Sequence, residues 1–291
     1  MKKLLFILIP FTATCFIACD KITNPIVKRD VVIGTQFVEK NNSDVSNFKK
    51  SLLEDYTGQT CPNCPDAAQT ATALAEQYPK NLVVIAVHAG SFADLALPTF
   101  TNDFRTTAGD AWKNNFNIIA FPSGMVNRKV YPGSSSVLLL RTKWSGAVAQ
   151  STTEPFVVKL DVNTRYDTVV RSLNATIKAS FKTAFSANIE LISLLVEDGI
   201  IGMQDYHGID VPDYVFDHVA LGTIPDAEIW GKRLKTAPIT AQTDTTLSFS
   251  NFPVMTMKKG RPVNDKEVYL VVIAFNSATK EVLQAEKIKI R

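Results

Sequence analysis

Ser51-Leu52-Leu53-Glu54-Asp55-Tyr56-Thr57-Gly58-Gln59-Thr60-Cys61-Pro62-Asn63-Cys64 decides how the rest of the chain is read. Its first six residues have strand character, and the run closes on the only Cys-x-x-Cys in the sequence. Pro65-Asp66-Ala67-Ala68-Gln69 continues with helix character, and residues 67–78 are rich in good helix formers before Pro79 stops them. Next, Leu82-Val83-Val84-Ile85-Ala86-Val87 is a continuous apolar, β-branched run, typical of a parallel strand buried on both faces. Strand, helix and strand in this order predict a βαβ unit with the Cys pair at the carboxyl end of its first strand. Open α/β sheets place their sites there.

The chemistry follows from position. A thiol near a helix N-terminus feels unpaired backbone N–H groups and the positive end of the dipole, which favours its thiolate. Cys61 is expected as the exposed nucleophile and Cys64 as the more buried resolving thiol. Pro62 suits an N1-type position, where a missing N–H costs nothing. Two readings of the pair stay open: a redox-active dithiol, or a static disulfide stitching a loop in an oxidising compartment. Zinc would need further ligands, yet no second Cys pair stands nearby and the three His are scattered. Asp55 is the candidate acid, with Glu54 competing for the inward position. His88 ends the following strand on the side where the dithiol should lie, as a tuning or a structural residue.

Three features together resemble the thioredoxin superfamily: the Cys-Pro-x-Cys motif after a strand, Asp55 upstream of it, and Phe116-Asn117-Ile118-Ile119-Ala120-Phe121-Pro122-Ser123. The resemblance implies that Asp55 is a buried acid assisting proton transfer at the dithiol. It also implies that Pro122 is cis and faces Cys61 and Cys64. Residues 90–107 then read as an insertion near that edge. Trp112 and Phe116 share a helix face turned to the core. Residues 123–130 read as a strand, Ser134-Ser135-Ser136 as the cap of a helix over 137–149, and 151–155 as a linker.

At the other end, Met1-Lys2-Lys3 and the apolar run after it form a signal peptide over 1–18. It ends in Phe16-Ile17-Ala18-Cys19, which resembles a bacterial lipobox, so cleavage before Cys19 and its acylation are expected. Residues 19–33 read as a tether. Membrane attachment is assigned to the lipid, because removing 1–18 takes away Lys2 and Lys3 and leaves little net charge. The whole chain has 291 residues, 46% hydrophobic, enough for two domains, with a net charge of +3 and no basic stripe; nucleic acid is excluded as a partner.

From 154 the period changes to two, and about seven strands at short spacing predict an immunoglobulin-like β-sandwich over 154–291. They fall at 156–162, 173–181, 189–196, 214–221, 247–252, 268–275 and 285–290. The stretch holding Tyr206, His207 and nearby Asp residues reads as a loop, with a loose metal set of little weight. Arg171, Lys178 and Lys182 mark a solvated face. Leu53-Glu54-Asp55-Tyr56-Thr57-Gly58-Gln59-Thr60-Cys61-Pro62-Asn63-Cys64-Pro65, Val87-His88-Ala89-Gly90, Glu197-Asp198-Gly199-Ile200 and Phe216-Asp217-His218-Val219 together resemble the outer membrane lipoproteins of Bacteroidetes named for a 28-kilodalton outer membrane protein. That resemblance implies a thioredoxin-like domain over 34–153 followed by the sandwich, exported and lipid-anchored. It implies no settled activity, and the Cys pair and the large second domain leave two functions open. One is thiol–disulfide exchange on an exported protein or peptide client, through Cys61 and Cys64 with no cofactor. The other is a binding or adhesion lipoprotein whose Cys pair is structural.

Overall fold

Two hydrophobic patterns build this molecule, runs apolar on both faces and strands that alternate. The computed structural model describes residues 36–42 and 48–291. The signal peptide, the tether and Cys19 lie outside the described residues. In chain order the elements are β1 (Phe37–Asn41), β2 (Ser51–Thr57), α1 (Cys64–Gln77), β3 (Leu82–His88), α2 (Thr107–Asn115), β4 (Ser123–Val126), α3 (Arg141–Ser151), β5 (Val158–Asp167) and β6 (Ser172–Phe181). There follow β7 (Ile189–Glu197), β8 (Ile200–Tyr206), β9 (Ile209–Phe216), β10 (Val219–Thr223), β11 (Lys232–Lys235), β12 (Thr243–Pro253), β13 (Met257–Lys258), β14 (Arg261–Pro262), β15 (Val268–Asn276) and β16 (Val282–Lys289). The class is α plus β, rich in sheet.

The central layer is an eight-stranded sheet in the order β16-β15-β7-β10-β3-β2-β4, with β11 also paired to β7. β2 and β3 are parallel and every residue of both is buried; the unbroken apolar run of β3 requires this, whereas β2 also buries Ser51, Glu54, Asp55 and Thr57. A second sheet, β1-β5-β6-β12, covers one face of the β7-β15-β16 half. Its strands alternate: Val158, Leu160 and Val162 of β5 and Leu173, Ala175, Ile177 and Ala179 of β6 point inward, and the residues between them point toward water. The opposite face of β7 and β15 presents Ile192, Leu194, Val196, Val271, Ile273 and Phe275 to a core shared with Trp112 of α2 and with Leu52 and Tyr56 of β2. α1 and α3 pack on the remaining face of β2 and β3 through Ala67, Ala71, Leu74, Trp144 and Val148.

The sequence places a boundary between 153 and 154, close to the end of α3. Hydrogen bonding continues across that division, because β10 joins β3 in parallel at Val219 and Ala86 while its other edge pairs with β7. The residues on the two sides therefore share one sheet and the apolar cluster between α2, β2, β7 and β15.

Several local expectations shift. α3 starts at Arg141 without a side-chain cap, because Leu139 is held in a bridge to Gly124 and Ser134 and Ser136 bond within their own turn. β4 ends at Val126, where Asn127 and Arg128 turn into left-handed backbone. Arg171 does not mark a solvated face: it donates to the carbonyls of Met255 and Val263 and pairs with Asp265. The stretch read as one strand over 214–221 is two, β9 and β10, broken at Asp217 and His218.

Candidate functional site

β2 carries its side chains alternately to two sides. Leu52 and Tyr56 face α2, and Leu53 faces α1 and α3. Period two then puts Glu54 with the first set and Asp55 with the second. At the carboxyl end the chain turns through Gly58, which touches the turn at Ser91–Ala93. A Cβ on Gly58 would lie 2.3 Å from the Phe92 carbonyl carbon, so only glycine fits. Thr60 fastens the same contact with backbone and hydroxyl bonds to the Phe92 carbonyl, both 3.0 Å.

Cys61 and Cys64 are joined in a disulfide. Cys64 is the first residue of α1, Asn63 is its N-cap and Pro65 lies in the first turn. Pro62 is therefore outside the helix, not at its first position, and its carbonyl is free to accept a bond from elsewhere. Cys61 is not exposed: both cysteines are 1% accessible.

What covers them is the β8–β9 hairpin. Asp205 N–H donates to the Gln59 carbonyl and His207 N–H to the Pro62 carbonyl, each at 2.9 Å. The Gln204 amide, itself buried, donates to the Cys61 carbonyl at 3.1 Å. On the outer side the Tyr206 hydroxyl donates to Asp66 at 3.0 Å, and His207 Nε2 lies 3.3 Å from the same carboxylate. These bonds, the Tyr206 one foremost, hold Asp66 below the usual carboxylate range. The hairpin turns at His207-Gly208, both with positive φ, as a two-residue turn of this hand demands.

This hairpin is the part of the site that the sequence reading missed. Its signal was present: two apolar-containing runs separated by His-Gly, with histidine among the residues that enter the left-handed region more readily. Gly202, Pro212 and four Asp over 205–217 pointed to a loop instead.

Asp55 and Cys64 line one small cavity of about 30 Å³ together with His88, Gln204, Tyr214 and Phe216. Asp55 is 2% exposed and its Oδ1 has no hydrogen-bond partner. Burial pushes its carboxyl up to about 8. His88 is also buried, with its ring 4.7 Å from Phe104 and 5.7 Å from Phe216, and its Nδ1 is unpartnered. Burial pushes its imidazole down to about 3, so it is neutral.

The Phe121–Pro122 bond is cis. Pro122 immediately precedes β4, whose register pairs Ser123 with Tyr56, so it stands at the carboxyl end of β2. Phe121 stacks edge-on against Phe92, which ties that segment to the loop leading to Cys61. His207 and His218 go to different places: His207 to Asp66, His218 to Asp198 and Lys287. Among the described residues no three His, Cys, Asp or Glu side chains converge as a metal set.

Two solved structures are similar in fold. HBP35 of Porphyromonas gingivalis superposes with a TM-score of 0.58 at 14% identity, over 84% of this chain and 76% of that one. A protein of Agrobacterium tumefaciens, solved by X-ray crystallography, gives 0.51 at 10% identity, over 84% and 96%. No curated protein matches the chain. The family model of Outer membrane protein Omp28 matches residues 109–291, a span that starts in α2, beyond the Cys pair, and takes in Pro122 and the whole β8–β9 hairpin. With most of its length matched, the chain belongs to the Omp28 family, and its place is the outer membrane.

Proposed function

We propose that this outer membrane protein carries a thioredoxin-like unit over 34–153 fused through a shared sheet to an immunoglobulin-like sandwich over 154–291. In this reading Cys61 and Cys64 exchange disulfides with an exported protein or peptide client, and acylation of Cys19 holds the chain at the membrane. The observation that carries the redox reading is Asp55. A buried carboxyl with an unpartnered oxygen is costly, and this one shares a cavity with Cys64.

The oxidised form reacts when a client thiolate attacks Cys61 Sγ. A client–Cys61 bond forms, the Cys61–Cys64 bond breaks, and the Cys64 thiolate takes the proton held on Asp55. The client's second thiolate then attacks the client sulfur of the mixed disulfide. The Cys61 thiolate leaves, the client is disulfide-bonded, and two electrons have passed to the protein. Run backward, Asp55 removes the Cys64 proton and a client is reduced. Attack needs access to Cys61, so the β8–β9 hairpin has to lift before exchange begins.

The burial of both cysteines under that hairpin favours the second reading, a structural disulfide in a binding protein. Insulin reduction by the reduced protein separates the two, with turnover expected in the native chain and at least about 100-fold slower turnover in Asp55→Asn. Cys64→Ser should accumulate mixed disulfides with exported proteins. No turnover in the native chain, together with no trapped species, would leave the structural disulfide as the function of the pair.

A further inference from the structure

Asp55 also borders a larger space. Between α1 and β9 a slot of about 400 Å³ opens to the surface. Asp55 and Val84 lie on its sheet side, Ala71 and Thr72 on its α1 side and Tyr214 on its β9 side; Glu76 and Asp217 also line it. Its lining among the described residues includes three carboxyl groups and neither Lys nor Arg. His218 also borders the slot, with its Nδ1 taken up by Asp198 and Lys287.

We propose that this slot binds a primary ammonium carried on a slender aliphatic stem, such as a lysine side chain or a free alkylamine. The carboxyl groups alone would be a solvated acidic patch. The second observation is Asp55 itself, 2% exposed, bordering the slot, with Oδ1 meeting no donor. An ammonium brings three donors and no acceptor, which answers the unsatisfied Oδ1 of Asp55; Asp217 Oδ1 already accepts from the Gly199 N–H. Tyr214 offers an aromatic ring to the cation, and the alanine and valine side chains suit a methylene stem. An anion is repelled by the lining, and a neutral alcohol supplies one donor without charge. The pocket does not rest on disulfide exchange, since it needs neither sulfur to react.

The proton count gives the proposal its test. Asp55 holds a proton at pH 7, and an ammonium placed against it drives that proton off. Titration calorimetry of the oxidised full chain with n-butylammonium, in two buffers of different ionisation enthalpy, reads that release directly. Saturable binding with most of one proton released is expected, and 1-butanol should bind at least about tenfold more weakly. Asp55→Asn should abolish the release and weaken binding at least about tenfold. Thr72→Trp, at a half-buried position on α1, should block the slot with Asp55 intact and the unfolding curve unchanged. N-acetyl-lysine amide binding as well as butylammonium assigns the site to peptide lysines; binding of the free amine alone assigns it to small amines. No saturation by about 50 mM, equal binding of butanol, or unchanged binding in both variants would overturn the proposal. No client or turnover enters the measurement, so its failure is separate from failure of the redox reading.

Discussion

Glu54 and Asp55 are adjacent acids on one buried strand, and their surroundings could hardly differ more. Glu54 accepts two 2.8 Å bonds from Arg128, with both side chains fully buried. Arg128 in turn lies within 5.4–5.7 Å of the rings of Trp112, Phe116, Trp230 and Phe275. That box draws Trp112 and Phe116 from around α2 and Trp230 and Phe275 from the second half, so the ion pair sits where the two parts of the core meet. Asp55, on the other face, has no cation and an unpartnered oxygen, and it opens on two cavities. A paired acid inside a closed aromatic box is architecture. An unpaired one bordering two cavities is kept at a cost, and the cost points to chemistry or binding.

The comparison breaks first on pH. Asp55 rises from 3.8 to about 8 on folding, so the folded chain holds its proton more tightly than the unfolded one. Stability therefore falls as pH rises from about 4 to about 8 and is flat above that. Asp55→Asn removes this fall: relative to the native chain it should gain little at pH 4 and on the order of 5 kcal/mol at pH 9. Urea unfolding at several pH values reads the difference. Profiles that stay parallel would mean that Asp55 finds a partner in solution, and its contrast with Glu54 would disappear.

On the paired side the sign reverses. Arg128→Met leaves Glu54 buried and alone, at a cost of about 4 kcal/mol at pH 7. Adding Glu54→Leu should recover most of it, because two apolar groups replace a pair whose removal from water was itself expensive. Urea midpoints of the single and double variants decide the matter. A single variant losing under about 1 kcal/mol would show that the aromatic box, not the ion pair, holds this junction.

How much of this was legible in the sequence differs from element to element. The βαβ unit was, because β3 is apolar from Leu82 to Val87, β2 leads straight into the Cys pair and α1 stops just before Pro79. Six of the seven strands expected after 154 correspond to β5, β6, β7, β12, β15 and β16, with shifted ends: β5, β6 and β12 alternate because one face meets water, and β7 and β15 show as apolar runs buried on both faces. The shared sheet was not legible. It depends on β10, five buried residues joined to β3 through a single parallel register pair, and local pattern carries no information about such a distant partner. The candidate acid was half legible. Spacing singled out Asp55, but that Glu54 is paired while Asp55 is not depends on Arg128, far along the chain and turned inward by left-handed backbone. The cover over the Cys pair was hidden by Gly202, Pro212 and the Asp residues among its strands, although it buries Ile200 and Phe216 against Phe104.

That cover provides the smallest and most local test. Tyr206→Phe deletes the hydroxyl bonded to Asp66 and Gln69 and leaves the ring, so global stability should move by about 1 kcal/mol or less. The effect belongs to the opening of the hairpin. A loss of about 1 kcal/mol there is roughly a fivefold rise in the open population. Amide exchange at Asp205 and His207, whose N–H groups bond to Gln59 and Pro62, should speed up by that factor. If the hairpin is what bars access to Cys61, reduction of the disulfide by dithiothreitol should accelerate in the same proportion. Faster exchange with an unchanged reduction rate would place the barrier in the packing around Gln204 and Phe216 instead, with the outer bonds to Asp66 steadying the hairpin tip and nothing deeper.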